Sequence, residues 1–117
     1  MKTTFECGID AEEQACQYLT NKGYQLIKSR YRTPYGEIDL LMYDNETLVA
    51  IEVKYRKFET DSLECLTQKQ QKRIEDALMY YISENNLNES GKDSSLLRFD
   101  VVLLSQKKPI IHIENAW

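Results

Sequence analysis

The sequence contains few glycines, prolines and cysteines: four, two and three among 117 residues. It has no internal repeat and no low-complexity tract, which excludes solenoid and fibrous architectures. The three cysteines, Cys7, Cys16 and Cys65, are odd in number and are spaced for neither a zinc site nor a disulfide framework. We therefore expect reduced thiols and a cytoplasmic protein.

Long apolar runs are also absent. Those present are too short to span a bilayer, and the N-terminus lacks the pattern of a signal peptide, so no membrane association is expected. Hydrophobic residues make up 42% and charged residues 29%, which is ordinary for a globular protein. The length predicts one domain over residues 1–117.

The charge pattern leaves the partner open. A net charge of −4 is unfavourable for binding nucleic acid, since phosphate binding usually needs a positive surface. Each basic cluster on its own is most simply a solvated face, although bound divalent cations would offset acids at a catalytic centre. The basic residues form three such clusters: Lys22, Lys28, Arg30 and Arg32; Lys54, Arg56 and Lys57; Lys69, Lys72 and Arg73.

The hydrophobic pattern predicts an α/β fold with the element order helix, three strands, helix, two strands. Thr67-Gln68-Lys69-Gln70 has capping-box spacing and opens the second helix. That order indicates a central mixed sheet covered by helices, and the short turn at 44–46 requires an antiparallel hairpin. The first half of the chain is predicted to form a helix over 9–22, ended by Gly23, and strands over 24–32, 37–43 and 47–56. The second half is predicted to form a helix from 67, a loop over 85–95, and strands over 96–105 and 110–114. The second helix carries an apolar stripe that consists of Ile74, Ala77, Leu78, Tyr81 and Ile82.

The third strand carries charges where charges are costly. Its two faces both begin apolar, which is typical of a strand buried on both sides. Glu52 and Lys54 nevertheless lie on one face by the period of two, and burying an unpaired charge costs several kcal/mol or more. A second acid, Asp39, comes from the preceding strand. These charges therefore need partners or a function.

Asp39 and Glu52 are candidate ligands of a divalent cation, with the backbone carbonyl of Val53 as a third oxygen. Such a cation lowers the pKa of a bound water and neutralises charge on a phosphate. Lys54 lies on the face of Glu52, where its ammonium can stabilise the reacting oxygens. The alternative is a cross-strand ion-pair lattice without catalysis.

Glu12 is a further candidate acid on the first helix. It shares a helical face with Ala15, Cys16 and Leu19, so it leans toward the core. It either turns inward to meet the strand acids or extends along the margin of the stripe into water.

Four sequence blocks together resemble the bacterial YraN-like proteins, which are related to Holliday-junction resolvases within the PD-(D/E)XK nuclease superfamily. The resemblance covers nearly the whole chain, in the right order, and includes Glu12. The blocks are Gly36-Glu37-Ile38-Asp39-Leu40, Leu48-Val49 followed by Glu52-Val53-Lys54, Arg98-Phe99-Asp100-Val101-Val102, and His112-Ile113-Glu114-Asn115-Ala116-Trp117.

The resemblance implies a restriction-endonuclease-like three-layer core and a Mg²⁺- or Mn²⁺-dependent endonuclease. Asp39 and Glu52 would be the metal ligands, Lys54 the catalytic lysine and Glu12 the helical acid. Glu37 would either support the metal ligands or be a surface charge of the hairpin. Two departures stand out: Ala11 replaces the usual glycine before the helical acid, and Gln70 stands where relatives usually have lysine.

Two functions follow from different classes. The first is a metal-dependent nuclease that hydrolyses phosphodiester bonds in DNA, with branched or damaged DNA as the expected substrate and a homodimer compatible with it. The second is a non-catalytic nucleic-acid or protein-binding module that keeps the nuclease fold. His112 and the Arg98–Asp100 pair are expected to be structural, because a lone histidine on a C-terminal strand seldom acts as a base.

Overall fold

A computed structural model describes residues 4–55, 66–85, 96–105 and 108–117, with side chains from residue 10 onward. The predicted element order is confirmed, whereas most of the loop expected over 85–95 lies outside the described residues. The elements are helix α1 (Thr4–Asn21), strands β1 (Gln25–Arg32), β2 (Glu37–Asp44) and β3 (Thr47–Tyr55), helix α2 (Gln68–Glu84), and strands β4 (Leu97–Leu104) and β5 (Ile111–Ile113).

The five strands form one mixed sheet in the order β1-β2-β3-β4-β5. Strands β1, β2 and β3 are antiparallel neighbours, β3 and β4 run parallel, and β5 returns antiparallel to β4. The expected β2–β3 hairpin is confirmed, with Asp44 opposite Thr47 beside its short turn. The parallel β3–β4 pair needs a long crossover, and α2 lies within it.

The helix ends follow local chemistry. The start predicted for α1 was wrong: the helix begins at Thr4 and passes through Gly8, although an interior glycine costs up to about 1 kcal/mol. Its end was predicted correctly, because Gly23 takes the left-handed φ of 105°. None of the helices in the described parts of the chain is long and apolar enough to cross a membrane.

The capping box predicted for α2 is confirmed. The Thr67 hydroxyl accepts from the Gln70 N–H at 3.1 Å, and Gln70 Oε1 accepts from the Thr67 N–H at 3.0 Å. Two donors that the helix leaves unpaired are thereby satisfied. Gln70 thus stabilises the start of the helix.

Two apolar clusters cover the two faces of the sheet. The α2-side cluster includes Leu48 and Ala50 of β3, and the α1-side cluster includes Val49, Ile51 and Val53. The prediction that β3 is buried on both faces is therefore confirmed. The predicted α2 stripe is also buried, and its members all belong to the α2-side cluster: Ile74, Ala77, Leu78, Tyr81 and Ile82.

Strand β2 breaks its alternation at Asp39. Ile38 packs in the α2-side cluster, yet Leu40, two residues later, packs in the α1-side cluster. Side chains two apart in a regular strand share a face, so the backbone must rotate between them. The β2–β3 pairing also ends here, at Leu40 opposite Ile51. Asp39 therefore lies at the point where two central strands separate.

The turn between β1 and β2 rests directly on α2. The Gly36 N–H donates to Thr33 Oγ1 at 3.0 Å, which holds the turn closed. A Cβ added at Gly36 would lie 1.9 Å from the carbonyl oxygen of Arg73. Glycine is needed here for its small size, because the obstacle is helix backbone.

We predict that Gly36→Ala destabilises the fold by about 1–3 kcal/mol, the usual cost of inserting an extra carbon into a packed site. Urea unfolding monitored by circular dichroism measures the change. Tyr35→Phe is the matched control in the same turn, because it keeps the ring that packs beside Tyr80 of α2 and changes a side chain that is 63% exposed. Surface changes of this kind usually stay within about 0.5 kcal/mol. Equal midpoints for Gly36→Ala and wild type would contradict the close contact.

Candidate functional site

The candidate site is built where β2 and β3 separate. The Val53 N–H donates to Asp39 Oδ2 at 2.8 Å, so a side-chain carboxylate replaces the missing ladder partner. This bond fixes one oxygen of Asp39 against the edge of β3. The acid thereby has a defined orientation in a place where regular pairing has ended.

Glu52 forms a carboxyl pair with Asp39. Burial raises the pKa of Glu52 well above its usual range, and the hydrogen bond with Asp39 and the negative charge of that group raise it further. Lys54 acts in the opposite direction, with Nζ 3.8 Å from Glu52 Oε1. Glu52 and Lys54 therefore share a face as expected, and the acids of two neighbouring strands are in contact.

Glu12 turns inward from α1. Its side chain is only 17% exposed, and Oε2 accepts a hydrogen bond from Arg30 Nη1 at 3.4 Å. Burial raises the pKa of Glu12, and the neighbouring charge of Asp39 adds to this effect. The alternative in which Glu12 extends into water is therefore wrong. A helix and two strands contribute acids to one region.

Arg30 is a part of this region that the sequence did not single out. It lies on β1 opposite Asp39, between the pairs Ser29–Leu40 and Tyr31–Ile38, and its φ is 52°. Non-glycine residues seldom adopt this left-handed conformation, and those that do cluster at functional sites. The sequence does not predict the left-handed conformation of Arg30, because arginine is not a residue that favours positive φ.

Glu37 lies at the outer side of the same region. It accepts from Arg32 Nη1 at 3.1 Å, and half of its side chain is exposed. A small pocket of about 50 Å³ joins these charges, and its lining consists of Glu12, Arg30, Arg32, Glu37, Ile38 and Asp39. Three of the predicted residues, Glu12, Glu37 and Asp39, thus line one pocket together with two arginines, whereas Glu52, Val53 and Lys54 reach the region through their contacts with Asp39 and with each other.

The carboxylates of this region are not grouped as a side-chain cage. Within the described ranges, no three His, Cys, Asp or Glu side chains are placed to hold one metal ion. The set of metal ligands predicted from the sequence differs from such a cage, since it combines two carboxylates with a backbone carbonyl. Mg²⁺ is usually bound in proteins by one or two carboxylates and several waters.

A second polar cluster lies on the α1 face of the sheet, centred on Asp100. This carboxylate is fully buried. Arg98 binds it through Nε at 2.9 Å and Nη2 at 3.0 Å, so the local pair expected from the sequence is present. Arg98 also reaches Asp44 at 3.0 Å and donates to the hydroxyl of Tyr24, which bonds Asp100 in turn.

His112 belongs to this buried cluster. Its Nε2 lies 2.8 Å from Asp100 Oδ2, and its Nδ1 lies 3.1 Å from Lys22 Nζ. A lysine ammonium can only donate, so Nδ1 accepts and the Nε2 proton points at Asp100. The Asn115 N–H adds a further bond to Asp100 at 3.0 Å. His112 and the Asn115 N–H thus both bind the C-terminal segment to Asp100 of β4.

A solved structure shares the fold. A Holliday junction resolvase named Hjc, from Archaeoglobus fulgidus, matches over 88% of this chain and 72% of its own length, with a TM-score of 0.56 and 19% sequence identity. At that identity the likeness concerns the fold alone. The expected restriction-endonuclease-like α/β architecture is confirmed.

Sequence comparison shows the family to which this chain belongs. A model of the family described as "Uncharacterised protein family UPF0102" matches residues 11–104. A UPF0102 protein of Thermodesulfovibrio yellowstonii is 41% identical and covers 96% of both chains. Another from Alkaliphilus oremlandii is 40% identical, over 94% of this chain and 96% of its own. The chain belongs to the UPF0102 family, which confirms the resemblance carried by its motifs.

The Asp100 cluster predicts a specific pH dependence of stability. Burial alone would raise the pKa of Asp100, but the hydrogen bonds from His112, Arg98 and the Asn115 N–H together lower it from 3.8 to about 2. The folded state therefore favours the ionised form. Its contribution is complete above pH 4 and is lost as the pH falls through 2.

We predict that Asp100→Asn lowers the free energy of unfolding by roughly 2 kcal/mol or more at pH 7, because about two pKa units correspond to that energy. The difference from wild type should shrink between pH 4 and pH 2, as followed by urea unfolding across that range. Asp76→Asn, at a partly exposed position paired with Lys72, is the control and should change little at any pH, because surface ion pairs contribute little to stability. A wild-type advantage that is constant down to pH 2 would contradict the assigned ionisation.

Proposed function

We propose that this protein is a metal-dependent nuclease that hydrolyses phosphodiester bonds in DNA, with branched or damaged DNA as its substrate. The observation that carries the proposal is the paired carboxyl groups of Asp39 and Glu52 beside Lys54, at the point where β2 and β3 separate. The shared fold with a Holliday junction resolvase supports the same class of substrate.

The donor set suits Mg²⁺ or Mn²⁺. Asp39 and Glu52 would supply carboxylate oxygens, and hard divalent cations prefer such ligands. In an extended strand the N–H and C=O of one residue project to the same side, and the Val53 N–H already faces Asp39. The Val53 carbonyl is therefore well oriented to be the third ligand. Positive charge would also offset the burial and the neighbouring charge of Asp39 that raise the pKa of Glu52.

The chain's own groups would act around that cation, which when bound supplies Lewis acidity and a more acidic water. In-line attack by water forms one P–O bond as the bond to the leaving oxygen breaks. Lys54, held beside Glu52, would stabilise negative charge on the phosphate oxygens. Glu12 would orient the attacking water or hold a second ion, while Glu37 would keep Arg32 beside the site.

A non-catalytic binding module is the competing function. The contacts of Asp39 with the Val53 N–H and with Glu52 also tie β2 to β3, and Glu52 pairs with Lys54 within β3. Such a set of contacts is what an ion-pair lattice requires. Such a protein would keep its nuclease fold and bind DNA or protein without cleaving. The two functions differ in whether replacing Lys54 changes a rate of DNA cleavage.

DNA is the proposed partner, a homodimer is compatible with it, and the cytoplasm is the proposed compartment. The three cysteines of the sequence suit a reducing environment, and Cys16, which the structure describes, is a free thiol.

We predict that Asp39→Ala abolishes Mn²⁺ binding, because it removes one ligand and the hydrogen-bond partner of Glu52. Isothermal titration calorimetry of the purified proteins measures this. Asp76→Asn, which removes an acid paired with Lys72 on α2, should leave the affinity unchanged. Equal Mn²⁺ affinities for wild type and Asp39→Ala would remove Asp39 from the site.

We predict that Lys54→Ala slows DNA cleavage about a hundredfold or more while metal affinity and folding are kept, because the lysine acts on developing charge. The assay uses Mg²⁺ or Mn²⁺ with labelled linear, single-stranded, flapped and four-way-junction DNA. Lys72→Ala is the control for loss of an exposed lysine. Equal rates for Lys54→Ala and wild type would make Lys54 structural, and a wild type inert on every substrate would favour the binding module.

A further inference from the structure

A groove runs between α1 and β1 beside the candidate site. It has a volume of about 400 Å³, within the range of roughly 300–1,000 Å³ that small-molecule sites occupy. Most of its exposed lining surface is apolar, although only three of its nine lining residues are apolar: Cys16, Leu26 and the buried Leu40. Leu26 is 47% exposed, so its side chain offers apolar surface to a ligand. We call this feature the α1–β1 groove.

The groove adjoins the candidate site. Glu12 and Arg30 line both the α1–β1 groove and the small pocket that contains Asp39. A ligand whose phosphate lies near Asp39 would therefore reach the groove with its next chemical group. On a nucleic acid that group is a sugar with its base.

The charge and the shape of the α1–β1 groove favour a base over a phosphate as its occupant. Glu12, Glu13 and Arg30 line the groove, and Arg30 is already paired with Glu12. The carboxylate of Glu13 is then in excess, which disfavours a phosphate in the groove. An uncharged ring fits the apolar floor, and the neutral polar groups of Gln17, Thr20 and Ser29 can exchange hydrogen bonds with its edge. Carboxylates accept from the amino groups that adenine, cytosine and guanine carry.

We propose that the α1–β1 groove binds one unpaired nucleobase next to the phosphate that is cleaved. This inference rests on the proposed nuclease function and adds a reason for its substrate preference. A base must leave the stack to enter the groove, and it leaves most easily where DNA is branched, mismatched or single-stranded. Arg30 lies at the junction, between the base and the phosphate.

Cys16 provides a probe inside the groove. In the variant Cys7→Ser/Cys65→Ser it is the only thiol of the chain. A bound base should shield it from N-ethylmaleimide, and mass spectrometry of the intact protein gives the rate of alkylation. Lys54→Ala is added so that DNA stays intact in Mg²⁺.

Two short single-stranded oligonucleotides are compared, one with normal bases and one with abasic residues throughout. Each is added to equal occupancy, as measured by fluorescence anisotropy. At about 90% occupancy the normal strand should slow Cys16 alkylation about tenfold, since only free protein reacts. The abasic strand should leave the rate nearly unchanged. A control carrying Cys16→Ser and Gln14→Cys places the thiol at an exposed position of α1 outside the groove, where neither strand should matter.

Three results would overturn the inference. Equal protection by the abasic strand would mean that backbone, and not a base, covers the groove. Unchanged alkylation of Cys16 in protein that binds DNA would leave the proposed function standing and remove the base site alone. Failure of both strands and of branched DNA to bind would remove both.

Discussion

Where β2 and β3 separate, the Val53 N–H bonds to the carboxylate of Asp39 instead of to a backbone carbonyl. This substitution lets two central strands of a mixed sheet part without leaving a buried donor unpaired. It also places an acid at the opening, next to Glu52 of the neighbouring strand. The remaining charges of the region, Glu12 on α1 and Arg30 on β1, lie around the contact between Asp39 and Val53.

The energetic cost of this arrangement is visible in the two glutamates. Burial and the proximity of Asp39 raise the pKa of both Glu12 and Glu52, so the fold holds acids where their charged forms are disfavoured. Arg30 and Lys54 offset part of this cost, at 3.4 Å and 3.8 Å from their partners. Carboxyl groups with perturbed pKa values in a pocket are typical of functional sites, and a divalent cation suits them. The Asp100 cluster differs, because hydrogen bonds satisfy its charge and lower its pKa.

Much of the fold could be predicted because it depends on local rules. The two-sided burial of β3, the apolar stripe of α2 and the Thr67–Gln70 capping box each follow from a repeat or a motif of a few residues. The acids of β2 and β3 could be selected as candidate site residues because charges in a buried strand need an explanation.

The remainder depends on contacts that sequence spacing does not encode. The face change of β2 at Asp39 and the left-handed φ of Arg30 arise from the way three strands meet. The same holds for the contact of His112 with Lys22, which joins residues 90 positions apart. The α1–β1 groove was missed for the same reason, since a helix and a neighbouring strand form it together. The early start of α1 was missed because Gly8 is a weak helix former.

Anomalous diffraction from crystals soaked in Mn²⁺ tests whether Asp39, Glu52 and the Val53 carbonyl hold one cation. We expect a single strong anomalous peak about 2.1–2.2 Å from an oxygen of each of these three groups, with waters completing an octahedron. Absence of density between Asp39 and Glu52 at saturating Mn²⁺, in crystals where the two carboxyl groups are ordered, would contradict it.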